Sequence, residues 1–134
     1  LFVTEQDLQR SVKWYVEVAG MRPTPYPQAR PTPGTVFEPQ QPKGSVFMAY
    51  EPEGAGVLLV PAARGETVRI GAVYSKLALL AENVIDGDLP DKFGASLKFA
   101  GAVPGVGTRV AVGADPDGYG IVFVEYGDWE KEFA

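Results

Sequence analysis

The chain contains neither cysteine nor histidine. Without cysteine there is no disulfide framework, no thiolate nucleophile and no thiolate metal site. Without histidine there is no imidazole ligand and no side chain whose unperturbed pKa lies near neutrality. Ser-His-Asp and Cys-His catalytic sets are therefore excluded. A metal would need carboxylate, amide or carbonyl oxygens, and a general base would be a shifted carboxylate, lysine or tyrosine. The lack of thiols fits a reducing cytoplasm, which is the expected location.

Long apolar runs are absent as well, and none approaches the ~20 residues needed to span a bilayer. The opening Leu1-Phe2-Val3-Thr4-Glu5 has no basic flank and no long apolar stretch, so no signal peptide is expected. Basic residues are few: 12 Lys and Arg stand against 17 Asp and Glu, for a net charge of -5. The cations are scattered, and an acidic surface repels phosphate. Neither nucleic acid nor membrane is an expected partner. Gly105-Val106-Gly107 is too short for a phosphate-cradling loop.

The remaining composition is that of one globular domain, 1–134, with 46% hydrophobic and 22% charged residues. Phe2-Val3-Thr4 reads as the end of a strand. A helix follows from Asp7 to Ala19, because Leu8, Val12, Tyr15 and Ala19 recur at helical spacing. Thr4 to Asp7 offer capping groups, and Gly20 suits the helix end. Arg22 to Lys43 contains seven prolines, so a central strand cannot run through it; an exposed loop or an irregular edge segment is expected.

Ser45 to Tyr50 and Val57 to Val60 read as a hairpin across Glu51–Gly56, and Thr67 to Tyr74 as a further strand. Ser75 to Ile85 reads as a second helix, with Leu77, Leu80, Ala81 and Val84 on one face. Asp86 to Ala95 is loop, and a short strand is expected within Ala95 to Val103. Asp115-Pro116-Asp117-Gly118 is a strong turn signal between strands Thr108–Gly113 and Ile121–Tyr126, and a partial helical turn ends the chain. The order strand, helix, strands occurs twice, over 1–66 and 67–134. The expected fold is α+β: two βαβββ modules forming a cupped, mixed and mainly antiparallel sheet.

Two stretches carry a family likeness. Thr4-Glu5-Gln6-Asp7-Leu8-Gln9-Arg10-Ser11-Val12-Lys13-Trp14-Tyr15 through Gly20-Met21, and Gly107–Val112 with Asp115-Pro116-Asp117-Gly118-Tyr119-Gly120-Ile121, resemble the opening and closing segments of the glyoxalase / bleomycin resistance protein / extradiol dioxygenase (vicinal oxygen chelate) superfamily. A weaker match, Arg69–Tyr74 leading into Lys76-Leu77, resembles the start of its second module. Enzymes of the family hold a divalent metal with one His, Glu or Gln from each of four strands. Carried over, the first ligand position falls just before Leu1, the second near Leu58 or Leu59, the third on Arg69 and the last on Val122. Aliphatic residues and a cation cannot coordinate a metal, so a metal-free member without cofactor is expected. Glu125 is three positions from Val122, an odd offset that places it on the other side of the strand.

In the resembling family, metal-free members sequester drugs or natural products between two subunits. The resemblance thus implies a homodimer that binds a small hydrophobic or aromatic ligand. Arg69 would clamp an anionic group, or else serve an internal salt bridge or lie exposed at an edge. Trp14, Phe47 and Tyr50 would wall the pocket or pack the core, with Leu59 and Val122 on its floor. Phe37 and Tyr26 would form a lid, or belong to an exposed loop. Tyr15 is core. Glu51 and Glu53 read as solvated turn charges, and Asp115 and Asp117 as turn formers. The rival function is an enzyme, a lyase, isomerase, epimerase or dioxygenase acting on a small organic acid or natural-product intermediate. A regulatory domain with no small ligand is a third.

Overall fold

A computed structural model describes residues 1–3, 7–27, 41–52, 54–71 and 74–133. They divide into two compact units, Leu1–Val68 and Arg69–Ala134. The architecture is α+β, with three helices and two mixed four-stranded sheets.

The first unit runs β1 (Phe2–Val3), α1 (Leu8–Glu17), β2 (Arg22–Pro23), β3 (Val46–Ala49) and β4 (Gly56–Pro61). Its sheet has the order β1-β4-β3-β2, with β1 parallel to β4 and the other pairs antiparallel. The α1 periodicity buries Ser11 and Tyr15 against the sheet. Asp7 occupies the N-cap without a side-chain cap bond and instead pairs with Arg10 at 3.4 Å. Gly20 takes φ +72, the left-handed conformation that glycine tolerates, and the Met21 N–H then donates to the Tyr15 carbonyl at 3.0 Å. The Pro-rich segment opens as the edge strand β2, where Pro23 lacks a donor at no cost to the ladder.

The second unit repeats the connectivity: β5 (Leu77–Ala81), α2 (Leu89–Phe93), β6 (Phe99–Ala102), β7 (Arg109–Ala114), β8 (Gly120–Glu125) and a terminal helix α3 (Tyr126–Phe133). The order is β5-β8-β7-β6, again with the first strand parallel to the last. Phe93 from α2 meets Phe123 edge to face at 5.6 Å and covers Gly113 so closely that a Cβ there would lie 2.4 Å from the ring. Asp115 forms the β7–β8 turn as expected: its Oδ1 accepts from the backbone N–H of Asp117 and Tyr119, each at 3.0 Å.

Two expectations are corrected. Leu77–Ala81 is a strand, not part of a helix over Ser75–Ile85, because the backbone of β8 offers this apolar run a parallel partner along its whole length. Residues 67–71 of the expected strand Thr67–Tyr74 have no regular secondary structure. The module's helix lies further on, at α2, in a stretch expected to be loop. No helix among the described residues is long and apolar enough to cross a membrane.

Candidate functional site

Strand register sorts the second sheet into two faces. Ala78 pairs with Val122, Val122 with Val112, and Val112 with Phe99. Paired residues project on the same side, so these four form one row across the sheet. Leu80, Val124, Val110 and Gly101 make a second row on the same face. The third is short, with Ala114 opposite Gly120. No charged residue of the four strands stands on this face. Val122 is 8% exposed, while Leu80 at 41% and Phe99 at 43% lie open at the two margins. The Phe99 ring folds over Gly101, whose missing Cβ would sit 3.1 Å from its Cζ. The result is a hydrocarbon floor with an aromatic edge.

The opposite face carries Ile121, Phe123 and Glu125. Glu125 is 7% exposed, and its purpose is local. Oε1 accepts from the Asn83 N–H at 3.2 Å and Oε2 from the Val84 N–H at 3.0 Å. The carboxylate thereby fixes the loop after β5, where Asn83 adopts φ +55. It is directed away from Val122, as the odd offset predicts.

A metal held in the manner of the resembling family does not fit these residues. The β8 position is Val122, and its neighbours on that face are Ala78, Leu80, Val112 and Val124, none of which has a donor atom. Among the described residues, no group of three or more carboxylates could hold an ion.

Arg69 lies exposed and outside any strand. The alternation that would aim it at a pocket therefore does not apply to it. Lys76, immediately before β5, is the cation that the register brings to the face of Val122. A Cβ on Gly120 would lie 3.7 Å from the Lys76 Cβ and 4.0 Å from its Cα, so the lysine side chain leaves on the side of Gly120, and hence of Val122. Lys76 is exposed and, among the described residues, has no ion-pair partner. Reading Ser75–Ile85 as a helix conceals it; the alternation of a strand over 76–80 reveals it.

In the first unit, Phe47 pairs with Leu58, while Leu59 pairs with Val46 on the other face. Leu59 is fully buried, so it is a core residue and Leu58 is its half-exposed neighbour. Phe47 is buried and meets Tyr26 edge to face at 5.7 Å, so Tyr26 stands over the strand face as an aromatic cover. Tyr50 serves the fold, since its hydroxyl donates to the Ala19 carbonyl at 2.7 Å and closes the end of α1. Burial pushes that phenol's pKa up. Trp14 projects from α1 and packs edge to face on the buried Tyr15 at 5.0 Å. Phe37, Glu5 and Glu53 lie outside the described residues.

A cavity of about 360 Å³ is built by Val106, Gly107, Thr108, Asp128, Lys131 and Glu132. Its polar groups are largely engaged with the protein. Thr108 donates to Glu132 at 2.5 Å. Asp128 receives the Arg109 guanidinium at 2.7 and 3.2 Å and the Arg109 backbone N–H at 3.1 Å. These bonds, with the guanidinium first, hold the Asp128 carboxyl below the usual carboxylate range. The cluster fastens α3 to β7.

No family model matches the chain. It is similar to the lactoylglutathione lyase of Salmonella typhimurium, 30% identical over 126 residues that cover 91% of this chain and 87% of that protein. The lactoylglutathione lyase of Escherichia coli O157:H7 is 29% identical over the same span. Among solved structures, a point variant of glyoxalase I from Zea mays matches 100% of this chain with a TM-score of 0.73 and 21% identity, and the chain spans only 48% of that protein. The trypanothione-dependent glyoxalase I of Leishmania major matches at a TM-score of 0.68 and 22% identity, over 99% of this chain and 88% of that one. The repeated βαβββ connectivity and the relationship along nine-tenths of the sequence agree: the chain belongs to the glyoxalase / bleomycin resistance protein / extradiol dioxygenase (vicinal oxygen chelate) superfamily.

Proposed function

We propose that this protein binds a small hydrophobic or aromatic organic ligand without a metal, on the sheet face that carries Val122. One observation carries the reading. The row Ala78–Val122–Val112–Phe99 is wholly apolar, and the carboxylate nearest in sequence, Glu125, is turned to the opposite face and held by two backbone N–H groups. A surface of this kind gains by removing apolar area from water, at about 25 cal/mol per Å² before the costs of association. It offers nothing to exchange for the hydration shell of a divalent ion. Sequestration of, or resistance to, an antibiotic or other natural product, by a cytoplasmic homodimer whose two modules act as one domain, is the role we attach to it.

A second reading, a lyase-type enzyme acting on a small organic acid, is favoured by the 30% identity to lactoylglutathione lyase. One experiment separates the two. Protein purified from medium supplemented with Zn²⁺, Ni²⁺ and Mn²⁺ is analysed for bound metal, assayed with lactoylglutathione, and screened by thermal shift against aromatic natural products. The binding reading expects substoichiometric metal, no metal-dependent turnover and a rise in Tm with aromatic compounds. Stoichiometric metal with metal-dependent turnover would overturn it in favour of the enzyme.

A further inference from the structure

We infer that the ligand is an organic anion, a carboxylate or a group of like charge on a flat apolar body, and that Lys76 fixes its charged end. The inference rests on the binding reading above and names the chemistry of the same face.

Three observations converge. First, the four strands contribute no charge to this face, and the Cβ of Lys76, 3.7 Å from where a Gly120 Cβ would lie, starts its side chain on that side of the sheet. Second, the ammonium has no ion-pair partner among the described residues, a property it shares with Arg69 and other exposed cations, and it is the register that places Lys76 beside this face. A positive charge beside hydrocarbon, with no acid opposing it, is complementary to an anion and repels a divalent cation. Third, the row that begins at Lys76 has the smallest side chains of the face. Gly120 and Ala114 pair there, alongside Val122 and Val112. The face is therefore lower along Gly120 and Ala114 than along the valine row, and the Ser75 carbonyl oxygen, 3.3 Å from where a Gly120 Cβ would lie, bounds it on the side of Lys76. From Lys76 across Gly120 to Ala114 is two strand spacings of ~4.8 Å, roughly 10 Å, room for a two-ring aromatic system.

The charge therefore lies at one end and the flat apolar surface beyond it. A ligand with both features gains from each: the carboxylate accepts from the ammonium, and the rings lie along Gly120 and Ala114 against the valine row. A neutral analogue of the same shape keeps only the second gain. Arg69 lies outside any strand and is not the charge that this geometry selects.

The test compares 2-naphthoate with 2-naphthamide by isothermal titration calorimetry on the full chain, with circular dichroism to confirm that each variant folds. The unsubstituted protein is expected to bind naphthoate roughly tenfold more tightly than naphthamide, the range of a charge-assisted hydrogen bond. Lys76→Gln should bring the ratio to about one while leaving naphthamide affinity unchanged, and Lys76→Arg should retain the preference. Arg69→Gln should leave it intact. Ala114→Leu, which raises this lower row, should weaken both probes. Equal affinities in the unsubstituted protein, or a preference that survives Lys76→Gln, would overturn the role of Lys76 while leaving the binding face in place. Failure of both probes to bind at millimolar concentration would overturn the binding face, and with it the inference.

Discussion

Val122 and Glu125 lie three residues apart on β8 and face opposite ways, the first onto an apolar sheet face and the second into hydrogen bonds with the backbone of Asn83 and Val84. That division keeps the only carboxylate of the strand out of the candidate site and gives it a structural role.

Glu125→Gln should therefore destabilise the protein and leave its ligand binding alone. A glutamine has one acceptor oxygen, and its amide N–H₂ would meet the second backbone N–H. Losing one bond and leaving a buried donor unsatisfied costs about 1.5–3 kcal/mol. Urea denaturation checks the magnitude; a variant as stable as the parent would contradict the bridge.

Gly113→Ala tests the packing of α2. The new methyl would lie 2.4 Å from Phe93 Cδ1 and 2.9 Å from its Cγ, atoms of a rigid ring close to its own backbone. The clash is expected to cost about 1–3 kcal/mol. The same change combined with Phe93→Leu should recover part of the loss, measured as the coupling in a double-mutant cycle.

Tyr50→Phe distinguishes a pocket wall from a helix closure. Removing the hydroxyl leaves the Ala19 carbonyl without its donor and should lower stability by about 1 kcal/mol. Ligand affinity should not change. A fall in affinity at unchanged stability would return Tyr50 to the binding site.

The Arg109–Asp128 pair sets an acid limit. The folded-state pKa of Asp128 is depressed, chiefly by the guanidinium hydrogen bond. The stability it contributes is present above the unfolded-state value near 3.9 and is lost as pH falls through the lower folded-state value. Stability measured from pH 7 down to pH 2 should decline less steeply at the acid end in Asp128→Asn than in the parent. Parallel profiles would show that the pair adds nothing, as for many exposed ion pairs.

Much of this structure is legible in the sequence. The spacing of Leu8, Val12, Tyr15 and Ala19 marks α1 because one helix face must be buried, and Asp115-Pro116-Asp117-Gly118 marks the β7–β8 turn because Asp and Gly supply the bonds and the φ it needs. The second module's start is harder to read. Leu77-Ala78-Leu79-Leu80-Ala81 satisfies helical spacing, and Leu and Ala favour helix, yet an apolar run of this length suits a strand equally well. Pairing with β8, a partner remote in sequence, decides the matter. Reading Thr67–Tyr74 as the strand instead puts Arg69, and not Lys76, on the expected sheet face. The choice between Leu58 and Leu59 is hard to read for a simpler reason: a shift of one residue exchanges the two faces of a strand, and it is Leu58 that shares a face with Phe47, while Leu59 is fully buried.

The parallel pairing of β5 with β8 also bears on how the chain is made. β5 stands at the margin of its sheet, hydrogen-bonded to β8, and β8 leaves the ribosome only after α2, β6 and β7. Until then Leu77–Ala81 is an unpaired, uncharged and β-competent segment, open to the same segment of another nascent copy. Messages truncated before Gly120 should yield inclusion bodies rather than a partly folded soluble product, and synthesis slowed just ahead of β8 should prolong the hazard.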